Sequence, residues 1–100
     1  MPSFTVSHET EMSPEETFSK VSDYFKNSEG LKKLDANLNS EFDPSNKSGK
    51  VKGSKFECDL KVLEGEKTKV VLQISIPMLL TPFRSTIEST LKDKMTKILG

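Results

Sequence analysis

Residues 56–76 read FECDLKVLEGEKTKVVLQISI, and their alternation decides the fold. Phe56, Cys58, Leu60 and Val62 fall on one side of an extended chain, while Glu57, Asp59 and Lys61 fall on the other. Val70, Leu72, Ile74 and Ile76 repeat the pattern on the return. Side chains alternate between the faces of a strand, so the segment is a hairpin with one dry and one wet side. Opposed residues of an antiparallel pair point the same way, so paired numbers must sum to an even value if both apolar sets meet one core. A sum of 130 sets Leu60 opposite Val70, Cys58 opposite Leu72 and Phe56 opposite Ile74, with a Glu64-Gly65-Glu66 loop, and is the preferred register. A sum of 132 also satisfies parity and keeps Lys61 from facing Lys69.

Upstream, the extended pattern starts near Gly49. Val51 is odd-numbered while Phe56 is even, so if both face inward an extra residue must intervene, and Gly53 is the natural place for a bulge or bend. Asp43-Pro44-Ser45-Asn46 is a break made of turn formers, and Pro44 cannot donate to a ladder. Leu31, Leu34 and Leu38 have helical spacing, but Leu38, Ser40 and Phe42 alternate, and a strand over 38–43 is preferred. Ser13-Pro14-Glu15-Glu16 carries a helix-start signal: an N-cap hydroxyl, proline at the first helical position and a glutamate at the third. Phe18, Val21 and Phe25 make the apolar stripe of that helix, and Gly30 suits its left-handed C-terminal position. Before it, Phe4, Val6 and His8 alternate with polar residues as a first, half-buried strand.

Downstream, Pro77 stops the last strand. Pro82 opens a second amphipathic helix in which Phe83, Ile87, Leu91, Met95 and Ile98 keep i+3 or i+4 spacing, with Arg84, Glu88, Lys92 and Lys97 on its wet side. The expectation is one α+β domain spanning 1–100. It has a single antiparallel sheet of four to five strands, order β-α-β-β-β-α, with helices over 14–27 and 82–99 covering one face.

Composition bounds the function. Fifteen basic residues balance fifteen acidic ones, which is not the high net charge of a disordered chain. Fourteen of the basic residues are lysines and one is Arg84, so the bidentate guanine and phosphate contacts of specific nucleic-acid reading are not expected. Segment 47–69 has an excess of three positive charges over its acids, read as an ordinary solvated sheet face. The longest apolar run, Met78-Leu79-Leu80, cannot span a membrane, and the N-terminus lacks the basic and apolar regions of a secretory signal. With one cysteine there is no internal disulfide, and a cytoplasmic location is expected.

Candidate chemistry is sparse. His8 is the only histidine and no activating motif surrounds it, so a strand position at the sheet edge is the better reading. Cys58 sits between Phe56 and Leu60, where a thiol packs as a small hydrophobe. One His and one Cys far apart lack zinc-ligand spacing, so neither metal nor cofactor is expected. Glu57 and Asp59 lie on the wet face, where exposed carboxylates make poor general acids. Gly49 and Gly53 flank Lys50-Val51-Lys52 without the motif of a phosphate loop. Met78, Leu79, Leu80 and Phe83 remain. These apolar residues between and beside two prolines either close the end of the core or form an interaction surface.

Lys50-Val51-Lys52-Gly53, Gln73-Ile74-Ser75-Ile76-Pro77, Met78-Leu79-Leu80, and Phe83-Arg84-Ser85-Thr86-Ile87-Glu88 with Leu91 and Leu99 together resemble the polyhydroxyalkanoic acid system protein family. These are small bacterial proteins encoded near storage-polyester genes. Arg84 stands where that family carries a lysine, and the chain lacks any tryptophan and adds an Asp43-to-Ser48 turn. The resemblance implies a non-enzymatic, granule-associated or granule-regulating protein and does not itself identify a site; taken with the apolar loop, it gives the expectation of contact with the polyester surface or another granule protein through Met78, Leu79, Leu80 and Phe83. The plan also looks like a reduced helix-grip lipid-binding fold. Two other functions stand beside it: an acyl-chain carrier with Cys58, Leu72 and Ile87 facing the ligand, and a homodimer that buries the apolar loop.

Overall fold

A computed structural model describes residues 3–27, 33 and 37–100. The element order is β1 (Ser3–Thr10), α1 (Pro14–Asn27), β2 (Asn39–Asp43), β3 (Ser48–Lys52), β4 (Glu57–Leu63), β5 (Thr68–Ser75), a 3-10 segment (Met78–Phe83) and α2 (Arg84–Leu99). The five strands form one antiparallel sheet in the order β1-β5-β4-β3-β2. The expected α+β architecture is therefore present, with α1 on the dry face and α2 running alongside β1. The helical or turn reading of residues 31–36, and the capping role of Gly30, lie outside the described residues.

The even-numbered side chains from 56 to 76 form the interior: Phe56, Cys58, Leu60, Val62, Val70, Leu72, Ile74 and Ile76 are all buried. The preferred register is corrected. Cys58 pairs with Ile74, Leu60 with Leu72 and Val62 with Val70, a sum of 132. Both sums keep the same faces together, but 132 puts Lys61 opposite Val71 and Lys69 opposite Leu63. Two lysines that repel across the strands are thereby separated.

Parity changes at the β3–β4 turn without a bulge. Val51 pairs with Cys58, and the Gly53 N–H donates to the Phe56 carbonyl at 2.8 Å. A two-residue loop, Ser54-Lys55, makes every pair sum odd, so an odd Val51 and an even Cys58 share the dry face. Cross-strand rows then follow from the registers. One dry row reads Phe42, Gly49, Leu60, Leu72, Val6, and the next reads Ser40, Val51, Cys58, Ile74, Phe4.

α1 closes this face from above. The Ser13 hydroxyl accepts a hydrogen bond from the Glu16 N–H at 3.2 Å, and the buried stripe is Thr17, Phe18, Val21, Ser22 and Phe25. Phe18 meets Phe42 edge to face at 6.2 Å between centroids, and the Lys26 ammonium lies 5.3 Å from the same ring. The Phe42 ring lies over Gly49. A Cβ at position 49 would collide with its Cδ1 and come within 2.9 Å of its Cε1. Gly49→Ala should therefore cost about 1–3 kcal/mol in urea unfolding through overpacking. In a Phe42→Ala background the same change should be neutral or stabilising, because alanine is otherwise the better strand residue. A penalty that persists without the ring would place the clash elsewhere.

α2 lies along β1 in the same direction. At its start the Arg84 guanidinium sits 5.2 Å from the Phe4 ring centroid. At its end the Thr10 hydroxyl donates to the Leu99 carbonyl at 2.8 Å, and His8 Nε2 is 3.1 Å from the Gly100 carbonyl. These side-chain donors satisfy carbonyls that a helix end leaves unpaired. Its buried residues are Leu91, Met95 and Leu99, while Ile87 and Ile98 are half-buried. Phe83, expected on this stripe, is exposed instead. Among the described residues no helix is long and apolar enough to cross a membrane.

Candidate functional site

The chain leaves the core at Ile76, which is fully buried, and turns at Pro77. The Leu80 N–H donates to the Pro77 carbonyl at 2.9 Å, closing the first 3-10 turn. Pro82 falls inside this segment and not at the head of an α-helix. Proline is tolerated there because short 3-10 turns at a helix N-terminus do not need every N–H.

The segment divides the four apolar residues that the sequence singles out. Leu80 is half-buried and packs on the core, so it does close the end of the sheet. Met78 is 78% exposed, Leu79 87% and Phe83 56%. Residues three apart eclipse in a 3-10 helix, which sets Leu79 over Pro82 and Met78 over Thr81. Isolated exposed hydrophobics are ordinary, but here three large ones fall within six residues, around the half-buried Leu80.

The remaining candidates sit elsewhere. Cys58 and Leu72 are both at 0% exposure, so no space large enough for water touches them and an acyl chain finds no preformed room there. Ile87 is half-buried against the same core. Burial pushes the Cys58 thiol up to about 12, with the neighbouring Asp59 carboxylate adding to the effect. A thiol held this firmly protonated is not a nucleophile at neutral pH. His8 is half-buried on edge strand β1, opposite Val70.

The wet face carries its own order. Glu41, Lys50, Asp59 and Gln73 form one cross-strand row, part of the lining of a shallow groove of about 630 Å³. Lys50 Nζ meets Glu57 Oε1 at 3.0 Å. That hydrogen bond, followed by the charge attraction itself, holds the Glu57 carboxyl below its usual range and the Lys50 ammonium above its own. Such a carboxylate is a still poorer proton donor near neutrality.

Arg84 is the one contact at the apolar segment that pattern reading does not supply, because its partner Phe4 lies eighty positions away. No family model matches the chain, and no curated protein matches it. Among solved structures, TTHA0849 from Thermus thermophilus superposes with a TM-score of 0.57 at 18% identity, covering 98% of this chain and 94% of that one. At that identity the likeness is one of fold.

Proposed function

We propose that this chain is a cytoplasmic, non-catalytic accessory protein of bacterial polyhydroxyalkanoate storage that seats on an apolar surface through Met78, Leu79 and Phe83. The observation that carries the reading is the exposure of these three side chains on a short segment anchored at both ends. The likeness of residues 49–99 to the polyhydroxyalkanoic acid system family supplies the identity of that surface. Fully burying a side chain of this size is worth ~1.5–3 kcal/mol. Three together offset a substantial part of the freedom lost on association.

The test is cosedimentation of the purified protein with polyhydroxybutyrate particles, repeated with Met78→Ser, Leu79→Ser and Phe83→Ser combined. Leu80 is left in place because it packs on the core. The substituted positions are exposed, so the fold should persist by circular dichroism while binding falls by about a hundredfold or more. Absence of sedimentation, or sedimentation indifferent to the three serines, rejects the reading.

A further inference from the structure

We infer that β2, at the edge of the sheet, pairs with β2 of a second copy of this chain across a twofold axis, in the register that sets Ser40 against Ser40. This contact is separate from the apolar segment and from the role proposed for it. β2 is the last strand of the order β1-β5-β4-β3-β2. At the opposite edge α2 lies along β1, with Arg84 over Phe4 at one end and Thr10 bonded to Leu99 at the other. Among the described residues no strand or helix flanks the outer side of β2 in that way.

Which main-chain groups face outward follows from the hydrogen bonds of the β3–β4 ladder. The Gly53 N–H donates to the Phe56 carbonyl at 2.8 Å, and the Val62 N–H donates to the Lys47 carbonyl at 2.9 Å. Bonded pairs recur at every second residue of an antiparallel ladder, so Val51 and Gly49 turn their main-chain groups toward Cys58 and Leu60 of β4. Lys52, Lys50 and Ser48 therefore turn theirs toward Asn39, Glu41 and Asp43 of β2. Ser40 and Phe42 are in the other phase, and their N–H and C=O groups point away from the sheet. Such a row is a template for pairing unless lysine, proline or a bulge blunts it. Residues 38–42, Leu-Asn-Ser-Glu-Phe, contain neither lysine nor proline, and β2 pairs with β3 without a break.

A second copy meets this edge in one favourable register. Faces match only where paired numbers sum to an even value. A sum of 82 sets Glu41 against Glu41 and brings Pro44, which has no N–H, opposite Leu38. A sum of 80 instead sets Ser40 against itself, Leu38 against Phe42 and Asn39 against Glu41. Leu38 and Phe42 are both half-buried against the core, so their remaining apolar surface meets on the dry side. On the wet side the Asn39 amide can donate to the Glu41 carboxylate, which makes no ion pair among the described residues. The twofold contact uses one β2 from each copy and leaves β1, flanked by α2, at both outer edges, so association stops at two.

The test is sedimentation equilibrium of the purified protein from about 10 µM to 1 mM, the range suited to a small interface. The mass should rise from 11.2 kDa toward twice that value. Ser40→Pro removes an outward N–H and leaves the β2–β3 ladder whole, and Ser40→Lys sets two ammonium groups against each other. Ser40 is exposed, so both variants should keep the circular dichroism of wild type while the dissociation constant rises about tenfold or more. Under mild oxidation Ser40→Cys should crosslink to a dimer, since paired Cα atoms about 5.5 Å apart are within disulfide reach, and Glu41→Cys should not. A monomer at 1 mM, or a dimer indifferent to both Ser40→Pro and Ser40→Lys, overturns the inference. Crosslinking through Glu41→Cys in place of Ser40→Cys does so too, because it reports the other register. A dimer lost when Met78, Leu79 and Phe83 become serine puts the contact at the apolar segment and also overturns it, whereas failure to bind polyester particles leaves it standing.

Discussion

Leu72→Ala should lower stability by about 2–5 kcal/mol, the cost of deleting a fully buried leucine side chain and leaving a cavity. Leu72 has 0% exposure and lies on β5, paired to Val6 on one side and Leu60 on the other. Strands hold both of its flanks and α1 covers the face, so the site has little freedom to collapse. A domain of this size has ~5–15 kcal/mol of stability in total, so the change is a large share of it. A fall of about 10–30 °C in Tm follows. In urea the midpoint should drop while the denaturant slope stays constant, since the surface exposed on unfolding is nearly the same. The neighbouring Val71 is half-buried on the wet face, and Val71→Ala should cost under about 1 kcal/mol. Equal costs at 71 and 72, or the reverse order, would contradict the assignment of faces on which the fold rests.

Those faces were legible because strand parity is strict. Phe56 to Ile76 can alternate in one phase only if the even residues go inward, and no tertiary information is needed to see it. Register was harder for the same reason: sums of 130 and 132 are indistinguishable by face. Only the lysine pair at 61 and 69 separates them, and a single exposed pair is a weak signal in a sequence. Val51 illustrates a different gap. Parity along one strand demands an extra residue, but parity across a two-residue turn inverts by itself, so loop length and not a bulge at Gly53 resolves the conflict.

The candidate site follows the same logic. Phe83 continues the i+4 series back from Ile87, which makes it look like a core residue. The 3-10 segment advances 120° per residue where an α-helix advances 100°. Phe83 closes that segment and lies outside α2, so the α-helical i+4 series from Ile87 does not carry back to it, and it ends 56% exposed. The sequence does hold a hint of this, since Pro77 and Pro82 bracket the stretch and discourage a regular helix. The contact between Arg84 and Phe4, and the ring of Phe42 over Gly49, depend on strand order, which local periodicity does not encode.

Cys58 should behave as a sealed thiol, and it gives the alkaline pH dependence a sign. Its titration moves from 9.0 to about 12, chiefly because burial disfavours the thiolate and secondarily because Asp59 is near. Below pH 9 both the folded and the unfolded chain keep the proton, and the shift costs nothing. Above pH 9 the unfolded chain releases it while the folded chain does not, so the unfolded state binds fewer protons and stability falls as pH rises. The slope is about 1.4 kcal/mol per pH unit until the folded thiol itself ionises near 12. Lysines titrate in the same range, so the measurement is the difference between wild type and Cys58→Ala. Their common groups cancel, and the gap in unfolding free energy should change with that slope in favour of the alanine variant. The reactivity readout is independent. Folded protein should be alkylated by iodoacetamide about a thousandfold more slowly than urea-unfolded protein at equal pH, from thiolate fraction alone. A thiol modified at comparable rates in both states, or a gap that stays flat from pH 9 upward, would mean that water reaches the row containing Val51, Cys58 and Ile74, and that the sheet is not sealed where α1 crosses it.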